Sequence, residues 1–303
     1  MPPISHTRAL RDYQLLDNVW ATHGVVFLSG TQALVRLMWM QRQLDERQQW
    51  NTRGFISGYR GSPLGMVDQV IWKQDEKFKN AGIEFVPAIN EELGATQVLG
   101  TQRVESDPER TVDGVFGLWY GKGPGVDRAG DALKHGNAYG SSPHGGVLVV
   151  AGDDHGCVSS SMPHQSDQVF QSWHMPVVSP ADVSELVSFG LYGFALSRYS
   201  GAWVGMTALS EVVESSTTVD LDAINAQTAA WKTLQEVQAL TGHQSPPDGL
   251  HYRWPDLPSL SIESRLQDKL AAVAAFAQVN SIDRTVIDSP HAHIGIVSAG
   301  KVH

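Results

Sequence analysis

The residues with the most chemistry to offer fall in four short segments: "SGYRGSP" (57–63), "NEELGA" (90–95), "YGKGPGVDR" (120–128) and "AGDDHGCVSSSMPHQSDQ" (151–168). Each follows an apolar run and leads into a stretch with helical spacing. Glycine lets a backbone come close to a ligand, and the N–H groups that open a helix carry partial positive charge. Four such turns at one edge of a sheet would converge on a common site. Glu91 is the most informative single residue, because it starts an expected helix and has small residues behind it. A carboxylate there can serve as a partner for the helix dipole. Glu92 already supplies that charge, which leaves Glu91 with room for a planar group to press against it.

Other arrangements narrow the choices. "YGKGPG" has part of a dinucleotide-binding glycine pattern, which leaves an NAD-dependent dehydrogenase as one alternative. Its sixth position is not glycine, and no acidic residue closes the following strand as that fingerprint requires. There is no Gly-Lys-Ser/Thr phosphate loop and no Gly-x-Ser-x-Gly nucleophile elbow. His135, His144, His155, His164 and His174 lack paired helical spacing, so we expect loop histidines that cap turns rather than metal ligands. Asp153 and Asp154 read either as cation ligands or, more simply, as caps for the next helix. Cys157 is the only cysteine, which excludes a disulfide framework and a cluster held by this chain alone.

The elements that must carry these segments follow from the apolar pattern. The 303 residues are 42% hydrophobic and 18% charged, enough for a substantial core. The formal net charge is −10, with Lys and Arg scattered rather than striped, which argues against a nucleic-acid face. No 18-residue apolar run occurs and the N-terminus lacks the apolar centre of a signal peptide, so we expect a cytoplasmic protein without a membrane span. Strand-like runs at 25–30, 54–59, 83–89, 112–120, 145–154, 175–180 and 202–209 alternate with amphipathic stretches. That repetition predicts an α/β three-layer sandwich with a mainly parallel central sheet, and the continuously apolar strands fit a sheet covered on both faces. We expect this domain over residues 1–222 and an irregular, Pro-punctuated connector over 223–262. A helix and a strand at 293–300 would then open a following domain over 263–303, making the chain the N-terminal piece of a longer polypeptide.

Several motifs in consecutive order carry a resemblance. "FLSGTQALVRL", "GFISGYRGSPLG", "NEELGATQVLGTQ", "FGLWYGKGPGVDR", "GGVLVVAGDDH", "SSSMPHQSD", "ALSRYSGAWVG" and "VESSTTVD" together resemble the N-terminal region of the indolepyruvate ferredoxin oxidoreductases. These are thiamine diphosphate-dependent 2-oxoacid:ferredoxin oxidoreductases, and the likeness is to their long fused bacterial type. The resemblance implies the pyrimidine-binding domain of a thiamine enzyme, whose signature glutamate hydrogen-bonds N1′ of the aminopyrimidine. Glu91 fits that place better than Glu92. A carboxylic acid kept protonated there by burial favours the ring tautomer that activates thiazolium C2.

By the same resemblance, Ser62 stands where a threonine contacts the 2-oxoacid. Arg60 replaces a family proline and offers a cation to the substrate carboxylate. Gly123, Pro124 and Gly125 would line the cofactor or substrate cleft with Lys122 at its edge, and His164, Gln165 and Asp167 would order substrate or a neighbouring subunit. No Gly-Asp-Gly occurs, and after "GDD" (152–154) the next asparagine is Asn225. The chain is therefore expected to hold only the pyrimidine half of the cofactor. Mg²⁺, the diphosphate, the iron–sulfur clusters and the coenzyme A contacts would lie in other sequence or another subunit. The implied reaction is oxidative decarboxylation of an aromatic 2-oxoacid such as indolepyruvate to an acyl-CoA, with electrons passed to ferredoxin by a homodimer. The alternative is an interface or assembly module that holds no cofactor.

Overall fold

Apolar runs rich in β-branched and aromatic residues, each ended by glycine or a polar turn, form the strands. A computed structural model describes residues 13–253 and 260–302. Its strands are β1 (Val25–Ser29), β2 (Thr52–Gly58), β3 (Ile83–Phe85), β4 (Gly114–Lys122), β5 (Val147–Gly152), β6 (Val177–Val178), β7 (Val204–Thr207) and β8 (Ser216–Asp220). The helices of the first half are α1 (Asp17–Trp20), α2 (Gly30–Arg47), α3 (Val67–Trp72), α4 (Asp75–Asn80), α5 (Glu91–Thr101), α6 (Gly123–Arg128) and α7 (Gly130–Tyr139). Those of the second half are α8 (Ser166–Ser172), α9 (Val183–Ser200), α10 (Ser210–Val213), α11 (Leu221–Ala229), α12 (Leu234–Thr241) and α13 (Ser261–Val279). Among the described residues no helix is long and apolar enough to cross a membrane.

Six strands form one parallel sheet in the order β3-β2-β4-β5-β7-β6. Both faces are covered, as the unbroken apolar strands require. In β5, Val147, Val149 and Ala151 point into a cluster with Trp119, Leu133, Phe170 and Trp203. Leu148 and Val150 point the other way, into the larger core with Phe116, Leu118, Leu37 and Phe194. Helices α2 and α9 cover that larger core, and α5, α7 and α8 cover the opposite face. The three-layer α/β sandwich with a parallel central sheet is the architecture expected.

Three features depart from the sequence reading. β1 lies outside the central sheet and pairs antiparallel with β8, from Val25 opposite Asp220 to Ser29 opposite Ser216. The strand expected at 293–300 is absent. Residues 293–299 are irregular and expose Ile294, Ile296 and Val297, because a strand needs a neighbour for its N–H and C=O groups and no described strand pairs with this run. The helix expected after residue 262 does form, as α13, but it packs on the first domain's own core through Ala272, Ala275 and Phe276. Lys269 on α13 donates to the carbonyls of Asn137 (2.8 Å) and Ala138 (2.9 Å), at the C-terminal end of α7 where a cation is favoured. Parts of the expected 1–222 domain and of the 223–262 connector, residues 1–12 and 254–259, lie outside the described residues.

A buried ion pair fastens the end of the sheet where the strands begin. Arg198 of α9 grips Asp45 of α2 with two hydrogen bonds, 2.6 Å and 2.8 Å, and gives its Nε–H to the carbonyl of Gly145 at 2.8 Å. Thr52, first in β2, donates to Asp45 Oδ2 at 2.5 Å, and Gln41 donates to Oδ1 at 2.8 Å. Every lone pair on the carboxylate has a donor, which such a desolvated charge needs. Replacing Asp45 by alanine should lower the free energy of unfolding by about 3–5 kcal/mol, since it strands the guanidinium. Urea titration measures this, and a loss below about 1 kcal/mol would contradict it.

Candidate functional site

β3 and β4 lie on opposite sides of β2, so the sheet reverses its winding there and opens a crevice beyond the strand ends. Around that crevice stand the four segments singled out by sequence. The approach of their backbones is very close. A Cβ on Gly58 would lie 2.1 Å from the carbonyl oxygen of Tyr120, and one on Gly94 would lie 3.3 Å from Gly58 Cα. α5 therefore begins almost on top of the end of β2. Asn90 caps it by accepting from Leu93 N at 2.9 Å, which fixes Glu91 in its first turn at the sheet edge.

α6 closes over Glu91. A Cβ on Gly125 would sit 2.6 Å from Glu91 Cγ, so the glycine is what lets the carboxylate stem pass. The Glu91 side chain is 14% exposed, and its Oε2 lies 3.8 Å from Nε of Arg128, whose side chain is 58% exposed. The indole N–H of Trp119 donates to the Glu91 carbonyl at 3.0 Å. Gly123 repeats the device against His164, where an added Cβ would fall 2.4 Å from the histidine Cβ. His164 Nε2 lies 3.1 Å from Asp127 Oδ2, and its Nδ1 is buried with no hydrogen-bond partner among the described residues. Pro124 is exposed in the first turn of α6.

A second group forms where the 59–66 and 153–165 loops meet. Ser159 Oγ donates to Ser62 Oγ at 2.7 Å, and Lys122 Nζ reaches the Ser159 carbonyl at 3.5 Å while its stem packs on Gly61. Asp154 accepts from the backbone N–H of Val158 (2.9 Å) and Ser159 (2.8 Å), and these bonds hold its carboxyl below the usual carboxylate range. Asp153 is fully buried and accepts from the backbone N–H (2.7 Å) and hydroxyl (2.6 Å) of Ser166, at the start of α8. Burial still pushes its carboxyl up. Asp153 caps the start of α8, as expected, whereas Asp154 ties loop N–H groups at a point where no helix begins. No described trio of His, Cys, Asp or Glu could hold a metal ion. Beneath the 59–66 loop, the Tyr120 phenol donates to Asp68 of α3, both groups being buried.

The structure thus joins Glu91 to Gly125, His164 to Gly123, and Ser62 to Lys122 through Ser159. Arg60 is exposed on the 59–66 loop, and Gln165 and Asp167 are exposed at the start of α8, where Gln165 makes no cap. His135 differs from expectation, since it sits in α7 with Nδ1 2.8 Å from the Asp131 carbonyl rather than in a loop. Asp127, Arg128 and Ser159 were not singled out from sequence. A signal for the first two was present: in "GPGVDR" they stand three and four residues beyond glycines, a spacing that shares a helix face.

No family model matches the chain, and no curated protein is similar to it in sequence. Among solved structures it is similar to a 2-oxoglutarate:ferredoxin oxidoreductase from Magnetococcus marinus, determined with 2-oxoglutarate, coenzyme A and succinyl-CoA bound. The TM-score is 0.56 and the sequence identity 17%, over 84% of this chain and 46% of that one. The likeness is one of fold: this chain is folded like part of that enzyme. The chain spans less than half the length of this structural relative.

Burial, first of all, pushes the Tyr120 hydroxyl up from its ordinary value of 10.0, and the bond to Asp68 adds to the shift. A group whose folded pKa is raised stabilises fully below the unfolded value and loses that contribution as pH rises above it. Stability should therefore fall above about pH 10, with Tyr120 contributing about 1.4 kcal/mol per pH unit. Tyr120→Phe should make the alkaline slope shallower by that amount in denaturant melts at pH 10 to 11.5; an unchanged slope would refute the assignment.

Proposed function

We propose that this chain is the pyrimidine-binding part of a thiamine diphosphate-dependent 2-oxoacid:ferredoxin oxidoreductase. The observation that carries the proposal is Glu91, a largely buried carboxyl at the switch point of a parallel sheet, pressed against Gly125. The donor set suits an aminopyrimidine: one carboxyl at a helix start beside a backbone stripped of Cβ atoms. When bound, the cofactor supplies the nucleophilic carbon and the electron sink. Glu91 would hydrogen-bond N1′ of the ring and hold a proton there. The backbone of Gly123, Pro124 and Gly125 would flank the ring, with Lys122 at the margin. Ser62, oriented by Ser159, would contact the 2-oxo group, and Arg60 would pair with the substrate carboxylate. His164, Gln165 and Asp167 lie on the segment that would order the substrate from the far side.

The overall conversion takes a 2-oxoacid and coenzyme A to an acyl-CoA, carbon dioxide, one proton and two electrons, the electrons leaving to ferredoxin. We assign an aromatic 2-oxoacid such as indolepyruvate as substrate, because the loops meeting at Ser62 and Ser159 expose Tyr59, Met66, Val158 and Met162. The structural relative's own bound 2-oxoacid is 2-oxoglutarate. Ile89 and Leu93, exposed beside Glu91, offer apolar surface for a second domain to cover. That domain would bring the diphosphate and Mg²⁺ contacts, while the iron–sulfur clusters would lie elsewhere in a cytoplasmic homodimer. The following domain expected beyond α13 belongs to the same proposal.

Glu91→Gln in the complete enzyme tests the reading. Turnover of the 2-oxoacid with ferredoxin should drop by about 10²-fold or more, and thiamine diphosphate should bind more weakly, while the protein stays folded by circular dichroism. Unchanged turnover in that variant would remove Glu91 from the chemistry. An absence of any heat on titrating the complete wild-type enzyme with thiamine diphosphate would instead favour the cofactor-free assembly module.

A further inference from the structure

We propose that α6 works as a bracket whose two polar arms are positioning residues: Arg128 for the carboxyl of Glu91, and Asp127 for the ring of His164. The inference rests on the site assigned above and adds residues to it that the assignment did not contain.

Each arm combines a steric stop with an electrostatic tie, and the two arms share one pattern. Gly123 lets the backbone of α6 bear on the stem of His164, and Asp127, four residues on, meets the ring at 3.1 Å. Gly125 does the same for the stem of Glu91, and Arg128, three residues on, lies 3.8 Å from the carboxylate. Spacings of three and four put both members of each pair on a common face of the helix. A side chain caught at its stem and at its tip has few rotamers left. Six residues thereby control two groups that come from different regions of the chain, the first turn of α5 and the segment leading into α8.

The two ties differ in kind. The Asp127 carboxylate can only accept, so Nε2 of His164 must carry the proton that points at it. In the neutral ring, Nδ1 is then an acceptor, and it is this buried atom that has no partner among the described residues. Asp127 thus settles which nitrogen of His164 carries the lone pair. The Arg128 contact, at 3.8 Å from a half-exposed guanidinium, is longer than a hydrogen bond and does not require the carboxyl to be ionised, since a guanidinium also attracts the carbonyl oxygen of a protonated acid. It orients the Glu91 carboxyl while leaving its oxygens free to bond a ring nitrogen. Both Asp127 and Arg128 are 58% exposed, so removing either side chain should leave the core intact.

Two double-mutant cycles test the bracket: Glu91→Gln with Arg128→Met, and His164→Ala with Asp127→Ala. In the complete enzyme, Arg128→Met alone should lower kcat about tenfold with a smaller change in KM, and weaken thiamine diphosphate binding to a similar degree. In the Glu91→Gln background the same change should cost less than about twofold, because its target is gone. Arg128→Lys should recover a share of the loss. Asp127→Ala should likewise act only where His164 is present. Additive effects in both cycles, or an Arg128→Met enzyme with wild-type kcat and cofactor affinity, would overturn the proposal. A third readout separates its failure from that of the site assignment. In the cofactor-free protein, the unfolding equilibrium constant should show coupling of about two- to fivefold within each pair. If wild type binds no thiamine diphosphate, the site assignment falls and this coupling alone decides the bracket: non-additivity supports it and additivity ends it.

Discussion

The candidate site depends on backbones lying closer together than any Cβ would allow. Gly58 abuts the Tyr120 carbonyl, and Gly94 packs on Gly58 in turn, which lets α5 start directly over the end of β2. Gly123 and Gly125 let α6 lie against His164 and Glu91 in the same way. The glycines contribute no chemistry. They remove the volume that would otherwise keep the chemically capable side chains apart, and in a close-packed interior that volume cannot be absorbed by neighbours.

The two ends of the sheet are built on opposite terms. Where the strands begin, Asp45 and Arg198 form a desolvated, fully hydrogen-bonded pair that joins α2, β2, α9 and the turn before β5. Such a pair is poorly tolerant of movement, since each ion is costly without the other. Where the strands end, the contacts are single hydroxyl bonds, a half-exposed ion pair and exposed loop residues. A rigid base beneath an adaptable rim is the arrangement a site needs if it must hold groups precisely and still admit them.

The parallel sheet was legible because its strands are short, mostly apolar runs, the central ones buried on both faces, with their own boundary signals. Pairing is a different matter. β1 looks like any other strand in composition, and only the distant, threonine-rich Ser216–Asp220 segment diverts it into a separate ribbon. The apolar run at 293–300 has strand composition and no described strand to pair with, a property of the rest of the molecule rather than of those residues. The site divides along the same line. Glu91 and the glycine turns stand out by residue type at a strand end. Asp127, Arg128 and Ser159 take their significance from what they face, and the partners of Asp127 and Arg128 lie 37 residues away in sequence.

The β1–β8 ribbon has a mechanical meaning. It joins residues nearly two hundred positions apart, and the whole six-stranded sheet is threaded between its two strands. Its outer end does not carry load alone: Leu221 donates to the Gly24 carbonyl just beyond the Val25–Asp220 pair, and α11 and α13 pack on the same core. Flanking chain drawn outward would have to lift that packing before the cross-strand bonds took any load. The ribbon is thus a second clasp behind the helices, closing the chain around the sheet it encloses.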